Sequence, residues 1–368
     1  MEWDYAVVGA GMAGASLAAE LAELTRGAAR IALLEAEDRP GYHATGRSAA
    51  FWEECYGGPA IVPLTLASGG YLRGGGFLRR RGALYIGREA DEAAITRFEE
   101  RFAGTGATFR RLERAELAFR IPGLRHGWLH AIWQPDCADI DVAALHQHYL
   151  QRAAQGGIAL HARFRVERIE RTGDGWRITA EDGRRFTAAR LVNAAGAWAD
   201  TFAAMAGVRP KGITPLRRTV AQLRTAPQAP ADLPLVLDIN GEFYFKPESG
   251  RLWLSPHDET PTAPCDAAAE ELDVALAIDR LQEVVDWRVE RVERRWAGLR
   301  SFAPDRLPVY GPDPADDRFI WCAGQGGYGI QTAPAAARLL AEELAGAPRS
   351  AMTAGIDPAP YQASRFAG

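Results

Sequence analysis

The feature that most constrains the fold is a glycine-rich turn near the start of the chain. The segment from Gly9 to Gly14, GAGMAG, follows an apolar run from Asp4 to Val8 and opens a helical pattern from Ala13 to Leu24. The first glycine allows the tight turn, the second lets backbone approach a pyrophosphate, and the third lets helix and strand pack closely. A second predicted strand, Ile31 to Leu34, ends at Glu35, where an acid can bind ribose hydroxyls. The pattern predicts a dinucleotide-binding unit.

The end of the chain repeats the order of strand, glycine turn and helix. A strand is predicted from Phe319 to Cys322 and a helix from about Thr332 to Leu344, with Pro334 in its first turn and Gly346 at its end. Between the two ends, the patterns predict a meander at 157–196, strands at 219–223, 233–237, 242–247 and 252–255, and a helix at 267–285. This helix is expected to bury Leu272, Ala275, Leu276 and Ile278. We therefore expect an α/β nucleotide-binding domain built from distant segments, with a β-rich domain inserted.

Composition narrows the class of protein. With 368 residues, 47% of them hydrophobic and 24% charged, the chain is long enough for two globular domains. The formal net charge of -4 argues against a nucleic-acid partner. No stretch reaches the roughly 20 apolar residues that a membrane span needs, and the N-terminus lacks the basic region of a signal peptide. We expect a cytoplasmic protein, and peripheral association with the inner face of the membrane stays open.

The four cysteines and seven histidines show no metal-ligand spacing. Cys55, Cys137, Cys265 and Cys322 are far apart and form no CxxC pair. This spacing is typical of reduced thiols in the cytosol. We expect no metal site.

Two further segments favour FAD over NAD. The segment from Gly41 to Ala50, GYHATGRSAA, is rich in small residues and hydrogen-bond donors, which suits a stretch that runs beside an extended cofactor. The segment from Leu191 to Asp200, LVNAAGAWAD, is a strand ending in small residues, where backbone must again approach a ligand. A minimal NAD domain needs neither segment.

Together these motifs resemble the D-amino-acid oxidase-like superfamily of flavoproteins, and within it FAD-dependent D-arginine dehydrogenase most of all. The resemblance covers nearly the whole chain. Its carriers are GAGMAG at 9–14, GYHATGRSAA at 41–50, DIDVAALHQHYL at 139–150, VNAAGAWAD at 192–200, EFYFKP at 242–247, WAGLRSFAPD at 296–305 and AGQGGYGIQT at 323–332.

The resemblance implies an α/β fold with a Rossmann-like FAD-binding domain of the glutathione-reductase-like type and an inserted β-rich substrate domain. The implied FAD-binding domain is discontinuous, at residues 1–80, 142–210 and 297–368. The implied substrate-binding domain takes residues 81–141 and 211–296.

The resemblance also implies non-covalently bound FAD. Val166, on a meander strand, is expected at the adenine half. The glycines of the last motif let backbone N–H groups approach the flavin pyrimidine edge, and the following helix directs its positive end there. The implied FAD contacts are Gly9, Gly11, Met12, Ala13, Gly14, Glu35, Ala36, His43, Ala44, Thr45, Gly46, Arg47, Ser48, Ala49, Val166, Ala195, Gly196, Trp198, Gly326, Gly327, Tyr328, Gly329, Ile330, Gln331 and Thr332.

The family also implies a carboxylate clamp for an amino-acid substrate. A planar arginine holds a carboxylate best, through two parallel charge-assisted hydrogen bonds. Arg300 matches the carboxylate-binding arginine, and Arg217 matches a second pocket position, although one of Arg217 and Arg218 should face solvent. The residues expected to be catalytic are Tyr56, Tyr244, Arg300, Arg217 and Gln331, with Tyr56 on a mobile loop. The expected substrate shell adds Phe51, Glu53, Gly82, Gly327 and Tyr328.

The implied reaction is oxidative deamination of a D-amino acid to the imino acid, then to a 2-keto acid and ammonia. No general base is evident, because a deprotonated amine allows direct hydride transfer from the α-carbon to flavin. Two departures argue against a cationic side chain: the acidic position of the arginine-oxidising members falls near Gly82, and their pocket histidine falls at Phe51. We expect a neutral or hydrophobic side chain, with Glu53 the remaining candidate partner for a cation.

Alternative functions stay open at this point. A glycine, sarcosine or other secondary-amine oxidase, or an FAD-dependent 2-hydroxy-acid dehydrogenase, would share the carboxylate clamp. A flavin-bearing binding or assembly protein without turnover would belong to another class. The sequence indicates neither the electron acceptor (oxygen, a quinone or a dye) nor the oligomeric state.

Overall fold

The computed structural model describes residues 2–366 and contains eight α-helices in that range. The first follows β1 directly, as the glycine turn predicts. The helices are α1 (Met12–Leu24), α2 (Val62–Gly74), α3 (Glu92–Phe102), α4 (Arg114–Arg120), α5 (Val142–Gln155), α6 (Ala199–Met205), α7 (Glu271–Val284) and α8 (Gly329–Ala345).

Twenty strands complete the regular structure of the described residues. In chain order they are β1 (Trp3–Val8), β2 (Ile31–Leu34), β3 (Phe51–Trp52), β4 (Leu78–Arg80), β5 (Ala83–Arg88), β6 (Arg110–Leu112), β7 (Trp128–Gln134), β8 (Ala138–Ile140), β9 (Ala159–His161), β10 (Val166–Thr172), β11 (Gly175–Ala180), β12 (Arg185–Asn193), β13 (Thr214–Ala226), β14 (Leu235–Asp238), β15 (Tyr244–Glu248), β16 (Arg251–Ser255), β17 (Thr260–Pro261), β18 (Arg288–Phe302), β19 (Val309–Asp313) and β20 (Asp316–Ala323).

The first sheet has a parallel centre. Its strand order is β10-β11-β12-β1-β2-β9, with β20 beside β12 and β19 beside β20. The strands β1, β2, β12 and β20 run parallel, so the turns that follow them meet at one edge of the sheet. The meander β10-β11-β12 is antiparallel, as is the pair β19-β20.

The second sheet is larger and almost entirely antiparallel. Its order is β17-β13-β16-β15-β14-β5-β7-β6, and β18 pairs with β13 along nearly the whole length of both strands. A small third sheet, β3-β8-β4, shares no strand with the other two. The predicted α/β fold, with a Rossmann-like unit and a second β-rich unit, is confirmed. The predicted domain boundaries stay a prediction, and β18 crosses the one at residue 297.

Two predictions about helices are wrong in detail. The apolar side predicted for α7 is not the buried one, because Leu272 is 78% exposed, whereas Val274, Ala277 and Leu281 pack into the core. Helix α8 begins at Gly329 rather than near Thr332, so Pro334 lies inside the helix and not in its first turn. Gly346 ends α8 in the left-handed conformation, at φ +61°, as predicted.

No helix among residues 2–366 is both long and apolar enough to cross a bilayer.

The corrected face of α7 can be tested with two matched substitutions. We expect Leu281→Ala to lower the free energy of unfolding by about 2–5 kcal/mol, because the side chain is fully buried and its removal leaves a cavity. The same change at exposed Leu272 should stay within about 0.5 kcal/mol. Urea denaturation of the FAD-loaded protein measures both. Equal losses would contradict this orientation of the helix.

Candidate active site

A cavity of about 480 Å³ is lined by residues of both large sheets. The first sheet contributes the turns that follow β1, β2, β12 and β20. The second contributes side chains from β13, β15 and β18. Ligands of open parallel sheets bind at the carboxyl ends of the strands, so this cavity is the candidate functional site.

The first glycine turn leaves no room for a side chain. Gly9 has φ +103°, and a Cβ atom there would lie 2.3 Å from the carbonyl oxygen of Ala194. A Cβ atom on Gly14 would lie 1.9 Å from the carbonyl oxygen of Gly9. The turn therefore packs against the end of β12 and against α1 as the fingerprint predicts, and it forms a backbone cradle that a dinucleotide fits.

Glu35 ties the first turn to the second strand. Its Oε2 accepts a hydrogen bond from the N–H of Ala10 at 2.9 Å, and its Oε1 accepts one from the N–H of Glu37 at 3.0 Å. The side chain is buried and lines the cavity. The N–H of Met12, in the first turn of α1, donates to Oγ1 of Thr45 at 3.0 Å. The GYHATGRSAA segment thus contacts the N-terminus of this helix directly.

Most of the residues expected to contact FAD line this cavity, and their role as contacts stays a prediction. They are Gly9, Gly11, Met12, Ala13, Glu35, Ala36, His43, Ala44, Thr45, Arg47, Ser48, Ala49, Val166, Ala195, Gly196, Trp198, Gly326, Gly327, Gly329, Ile330 and Gln331.

Four expected FAD contacts lie outside the cavity wall: Gly14, Gly46, Tyr328 and Thr332. Gly14 packs against the backbone of its own turn. The N–H of Gly46 donates to the carbonyl oxygen of Gly41 at 2.8 Å, which closes the turn between them. Oγ1 of Thr332 donates to the carbonyl oxygen of Tyr328 at 2.9 Å within α8. These residues shape the turns around the cavity and do not face it.

Arg47 lines the cavity, but its guanidinium is held by the second domain. It donates to the carbonyl oxygens of Ala267 at 2.9 Å and Ala297 at 3.2 Å, and it pairs with the carboxylate of Asp266. The segment around residue 266 lines the cavity at Cys265 and Ala267, and neither residue was predicted from the sequence to belong to the site. Arg47 therefore fastens this segment over the cavity.

The C-terminal glycine turn leads straight into α8. Gly326 has φ +56° and Gly327 follows it at the cavity wall. Helix α8 has no side-chain cap and no acidic residue in its first turn. Its first N–H groups and its positive dipole end therefore lie at the cavity, where they favour negative charge.

The guanidinium of Arg300 packs against this same turn. A Cβ atom on Gly327 would lie 1.5 Å from Nη2 of Arg300, so the packing requires glycine. Nη2 donates to the hydroxyl of Tyr56, while Nη1 has no hydrogen-bond partner among the described residues and is 3.7 Å from Glu259. Arg300 thus lies beside the turn where the sequence predicts the flavin, with hydrogen-bonding capacity left over.

Aromatic rings form the wall around Arg300. The rings of Phe51 and Tyr56 meet edge to face with centroids 5.0 Å apart, and those of Phe51 and Tyr244 at 6.0 Å. All three residues line the cavity. The structure therefore brings together Arg300, Tyr56, Tyr244 and Phe51, as predicted from the sequence.

Arg217 is not part of this wall, and Arg218 is. Successive side chains of a strand point to opposite faces, so the neighbours on β13 separate. Arg217 turns to α7, where it pairs with Asp273 at 2.9 Å and with Glu270. Arg218 and Val220 share the cavity face. The choice of Arg217 is thus corrected to Arg218, which the strand alternation with Val220 could have indicated.

Gln331 acts through its neighbours. Its Nε2 donates to the carbonyl oxygens of Glu53 at 3.2 Å and Tyr56 at 3.3 Å and to Oγ1 of Thr65 at 2.9 Å, and its Oε1 accepts from the N–H of Glu53. These bonds occupy the side chain, which is buried. Gln331 is therefore a positioning residue that fixes the loop carrying Tyr56.

Glu53 and Gly82 do not reach the cavity. The carboxylate of Glu53 accepts from the hydroxyl of Tyr85 at 2.7 Å and from the N–H of Cys55 at 3.1 Å. Burial raises the pKa of Glu53 to about 7. Gly82 packs under the ring of Trp133, where a Cβ atom would lie 2.0 Å from the indole. Neither residue is placed to contact a substrate, and the expectation that they do is corrected.

The chain belongs to the FAD dependent oxidoreductase family (DAO), whose model matches residues 4–343. The cofactor of this family is FAD, and the cradle formed by Gly9, Gly14 and the N-terminus of α1 fits it.

Two of the proteins that this chain resembles are glycine oxidases. Glycine oxidase from Pseudomonas aeruginosa is 28% identical over 249 residues, which are 66% of this chain and 64% of that protein. The chain thus matches a little under two thirds of that relative's length. The crystal structure of glycine oxidase from Geobacillus kaustophilus superposes with a TM-score of 0.83 at 25% identity, covering 99% of this chain and 98% of that one.

A third comparison shows the fold alone. Iminodiacetate oxidase from Chelativorans sp. BNC1 superposes with a TM-score of 0.79 at 24% identity, covering 97% of this chain and 98% of that one. Together, the comparisons confirm the superfamily and support amine or amino-acid oxidation. They do not support D-arginine dehydrogenase in particular.

The glycine cradle can be tested at Gly9. We expect Gly9→Ala to purify with at least tenfold less flavin, because the added Cβ meets backbone and the residue needs a left-handed φ. Flavin absorbance relative to protein absorbance measures this. Gly70→Ala is the control, since a Cβ on this residue of α2 meets nothing within 4 Å. Full flavin loading of Gly9→Ala would refute the assignment of the cradle.

The buried carboxyl of Glu53 should make stability depend on pH. Because its pKa rises from 4.5 to about 7 on folding, the stability present below pH 4.5 is lost as the pH rises toward 7, by roughly 3 kcal/mol. Glu53→Gln should therefore gain stability relative to the wild type across this range. Urea melts at pH 5 and pH 8 measure the difference, and Glu290→Gln on β18 is the control. Parallel pH profiles for wild type and Glu53→Gln would contradict the shift.

Proposed function

We propose that the enzyme oxidises the α-carbon to nitrogen bond of a small amino acid, with a D-amino acid as the first candidate. The observation that carries the proposal is the placement of Arg300. It lies in an aromatic wall beside the glycine turn before α8, with an Nη1 that lacks a hydrogen-bond partner. A carboxylate on this guanidinium would present the α-carbon to the part of the cavity that the two glycine turns enclose.

The neighbouring side chains prepare Arg300 for this role. Gly327 supports the guanidinium and the Tyr56 hydroxyl accepts one of its N–H groups, so its position is set before a ligand arrives. Gln331 fixes the backbone of the Tyr56 loop. FAD, when bound, supplies the hydride acceptor of the reaction. The protein's own contribution is orientation and electrostatics.

The described residues that line the cavity around Arg300 supply no evident catalytic base. Among the described lining residues, the carboxylates are Glu35, Glu37 and Glu181, which belong to the segments of the first sheet. His257 packs edge-on against Tyr244, but burial, Arg218 and Arg300 lower its pKa to about 2. We therefore propose that the amine is deprotonated before hydride leaves the α-carbon, and that water hydrolyses the imine to a 2-keto acid and ammonia.

The charges of the cavity wall also indicate which substrate side chains the enzyme accepts. With Glu53 and Gly82 away from the cavity, the carboxylates that line it among the described residues, Glu35, Glu37 and Glu181, all come from segments of the first sheet. Arg218, which does line it, would repel one. This supports the expectation that D-arginine and D-lysine are poor substrates.

Glycine and N-alkyl glycines form a second candidate class, alongside other secondary amines. The glycine oxidases of Pseudomonas aeruginosa and Geobacillus kaustophilus favour it, and the carboxylate clamp would be the same. A 2-hydroxy acid would fit the clamp but lacks the nitrogen. Oxygen and a quinone or dye are both proposed as electron acceptors.

The clamp predicts the effect of losing Arg300. We expect Arg300→Gln to lower kcat/KM for every amino-acid substrate about a hundred-fold or more, because it removes two charge-assisted hydrogen bonds. The readout is anaerobic flavin reduction with D- and L-amino acids, glycine, sarcosine and 2-hydroxy acids, followed by admission of oxygen. FAD content should be unchanged.

Arg295→Gln is the matched control. Arg295 lies on the same strand, outside the cavity, with its side chain 45% exposed and paired with Glu271. It should leave the rates within about twofold of the wild type. A flavin that no amine reduces would overturn the proposed function, and so would normal rates in Arg300→Gln.

A further inference from the structure

Arg218 is a buried arginine in the cavity wall, and the carboxylate clamp does not account for it. Its side chain is 6% exposed. Nε donates to the carbonyl oxygen of Asp258 at 2.8 Å and Nη2 to Glu259 at 3.3 Å. Nη1 has no hydrogen-bond partner among the described residues. A buried guanidinium with an unmet donor is costly unless an acceptor reaches it.

The strand register separates Arg218 from Arg300. Arg300 lies opposite Leu216, and Arg218 lies opposite Gly298, so the two arginines are diagonal neighbours on one face, with backbones about 7–8 Å apart. Each guanidinium is anchored to a different element. Arg300 packs on the turn at Gly327, and Arg218 is bound by the loop at 258–259. The register therefore offsets the backbones of the two arginines along the strands.

The carboxylate of Glu259 already lies between the guanidiniums of Arg218 and Arg300. Glu259 lies 3.3 Å from Nη2 of Arg218 and 3.7 Å from Nη1 of Arg300. It also pairs with Arg306 at 2.8 Å, so three guanidiniums share this one carboxylate. A single substrate carboxylate bridging Arg218 and Arg300 would compete with Glu259. Two carboxylates, one on each arginine, would not.

The electrostatics favour an added negative charge near Arg218. Burial and the nearby charge of Arg300 lower the pKa of Arg218, which means that its cationic form is under-compensated. Asp258, its other acidic neighbour, is 3.9 Å from Nε and is shared with Arg217 at 3.8 Å. The described lining residues near Arg218 include no acid.

We propose that Arg218 binds a second carboxylate of the substrate, so that the preferred substrates are amines carrying two carboxylates. The inference rests on the proposed function and names its substrate class. Arg300 holds the carboxylate next to the reacting carbon, and Arg218 holds the distal one. That distal group comes either from an acidic side chain, as in D-aspartate and D-glutamate, or from an N-carboxymethyl group, as in iminodiacetate.

The first arm of the test needs no turnover. Acids without an amine are titrated into the FAD-loaded enzyme, and the shift of the flavin spectrum gives their Kd. We expect succinate and glutarate to bind at least about tenfold more tightly than propionate and butyrate. Equal affinities in the wild type would overturn the proposal without reference to any variant.

The second arm uses Arg218→Gln, with Arg224→Gln as control. Arg224 lies on the same strand, with its side chain 50% exposed and paired with Glu293. We expect Arg218→Gln to abolish the preference for diacids and Arg224→Gln to retain it. Flavin content and melting temperature establish that both variants are folded. Retention of the diacid preference in folded Arg218→Gln would contradict the assignment.

The third arm measures flavin reduction with matched pairs, D-glutamate against D-glutamine and iminodiacetate against sarcosine. The preferred diacid identifies the source of the distal carboxylate. In Arg218→Gln, kcat/KM should fall about thirty-fold or more for the diacid and less than about threefold for its partner. Equal falls for both would mean that Arg218 shares the carboxylate of Arg300. If no amine reduces the flavin while diacids still bind more tightly, the proposed function fails and the anion site stands.

Discussion

The antiparallel pairing of β13 with β18 is the constraint on which the site depends. Its register decides which side chains of these strands face the cavity and which face α7. The same pairing carries Arg300 to the turn at Gly327, where only a glycine allows the guanidinium to pack. A slip of one residue in either strand would turn its cavity-facing arginine, Arg218 or Arg300, to the opposite face of the sheet.

The parts of the fold that the sequence predicted are those set by local chemistry. The glycines of the first turn have strict backbone requirements, so Gly9 and Gly14 indicate both the turn and the packing around it. The short apolar strand Ile31 to Leu34 is bounded by turn residues, and its limits were predicted to the residue. The same holds for Gly346 as the end of α8. Each signal lies within a few residues of the structure that it predicts.

The parts that the sequence did not predict depend on contacts between distant segments. Alternation along β13 puts Arg217 and Arg218 on opposite faces, but both are buried, and only the neighbouring elements decide which face lines the cavity. Leu272 belongs to a plausible apolar stripe of α7, yet the core lies on the side of Leu281. Glu53 was predicted to be a pocket residue. Its carboxylate instead accepts a hydrogen bond from the hydroxyl of Tyr85, which lies 32 positions away in the sequence. Residue type identified the candidates, and tertiary packing assigned their roles.

The most direct test of this account is a crystal structure of the FAD-loaded enzyme with an unreactive dicarboxylate such as glutarate. One carboxylate should bind Arg300 beside Tyr56, at the turn of Gly327, and the other should bind Arg218. The flavin ring should lie between the acid and the glycine turns. A carboxylate bound elsewhere, or Arg300 directed away from the flavin toward solvent, would contradict the account.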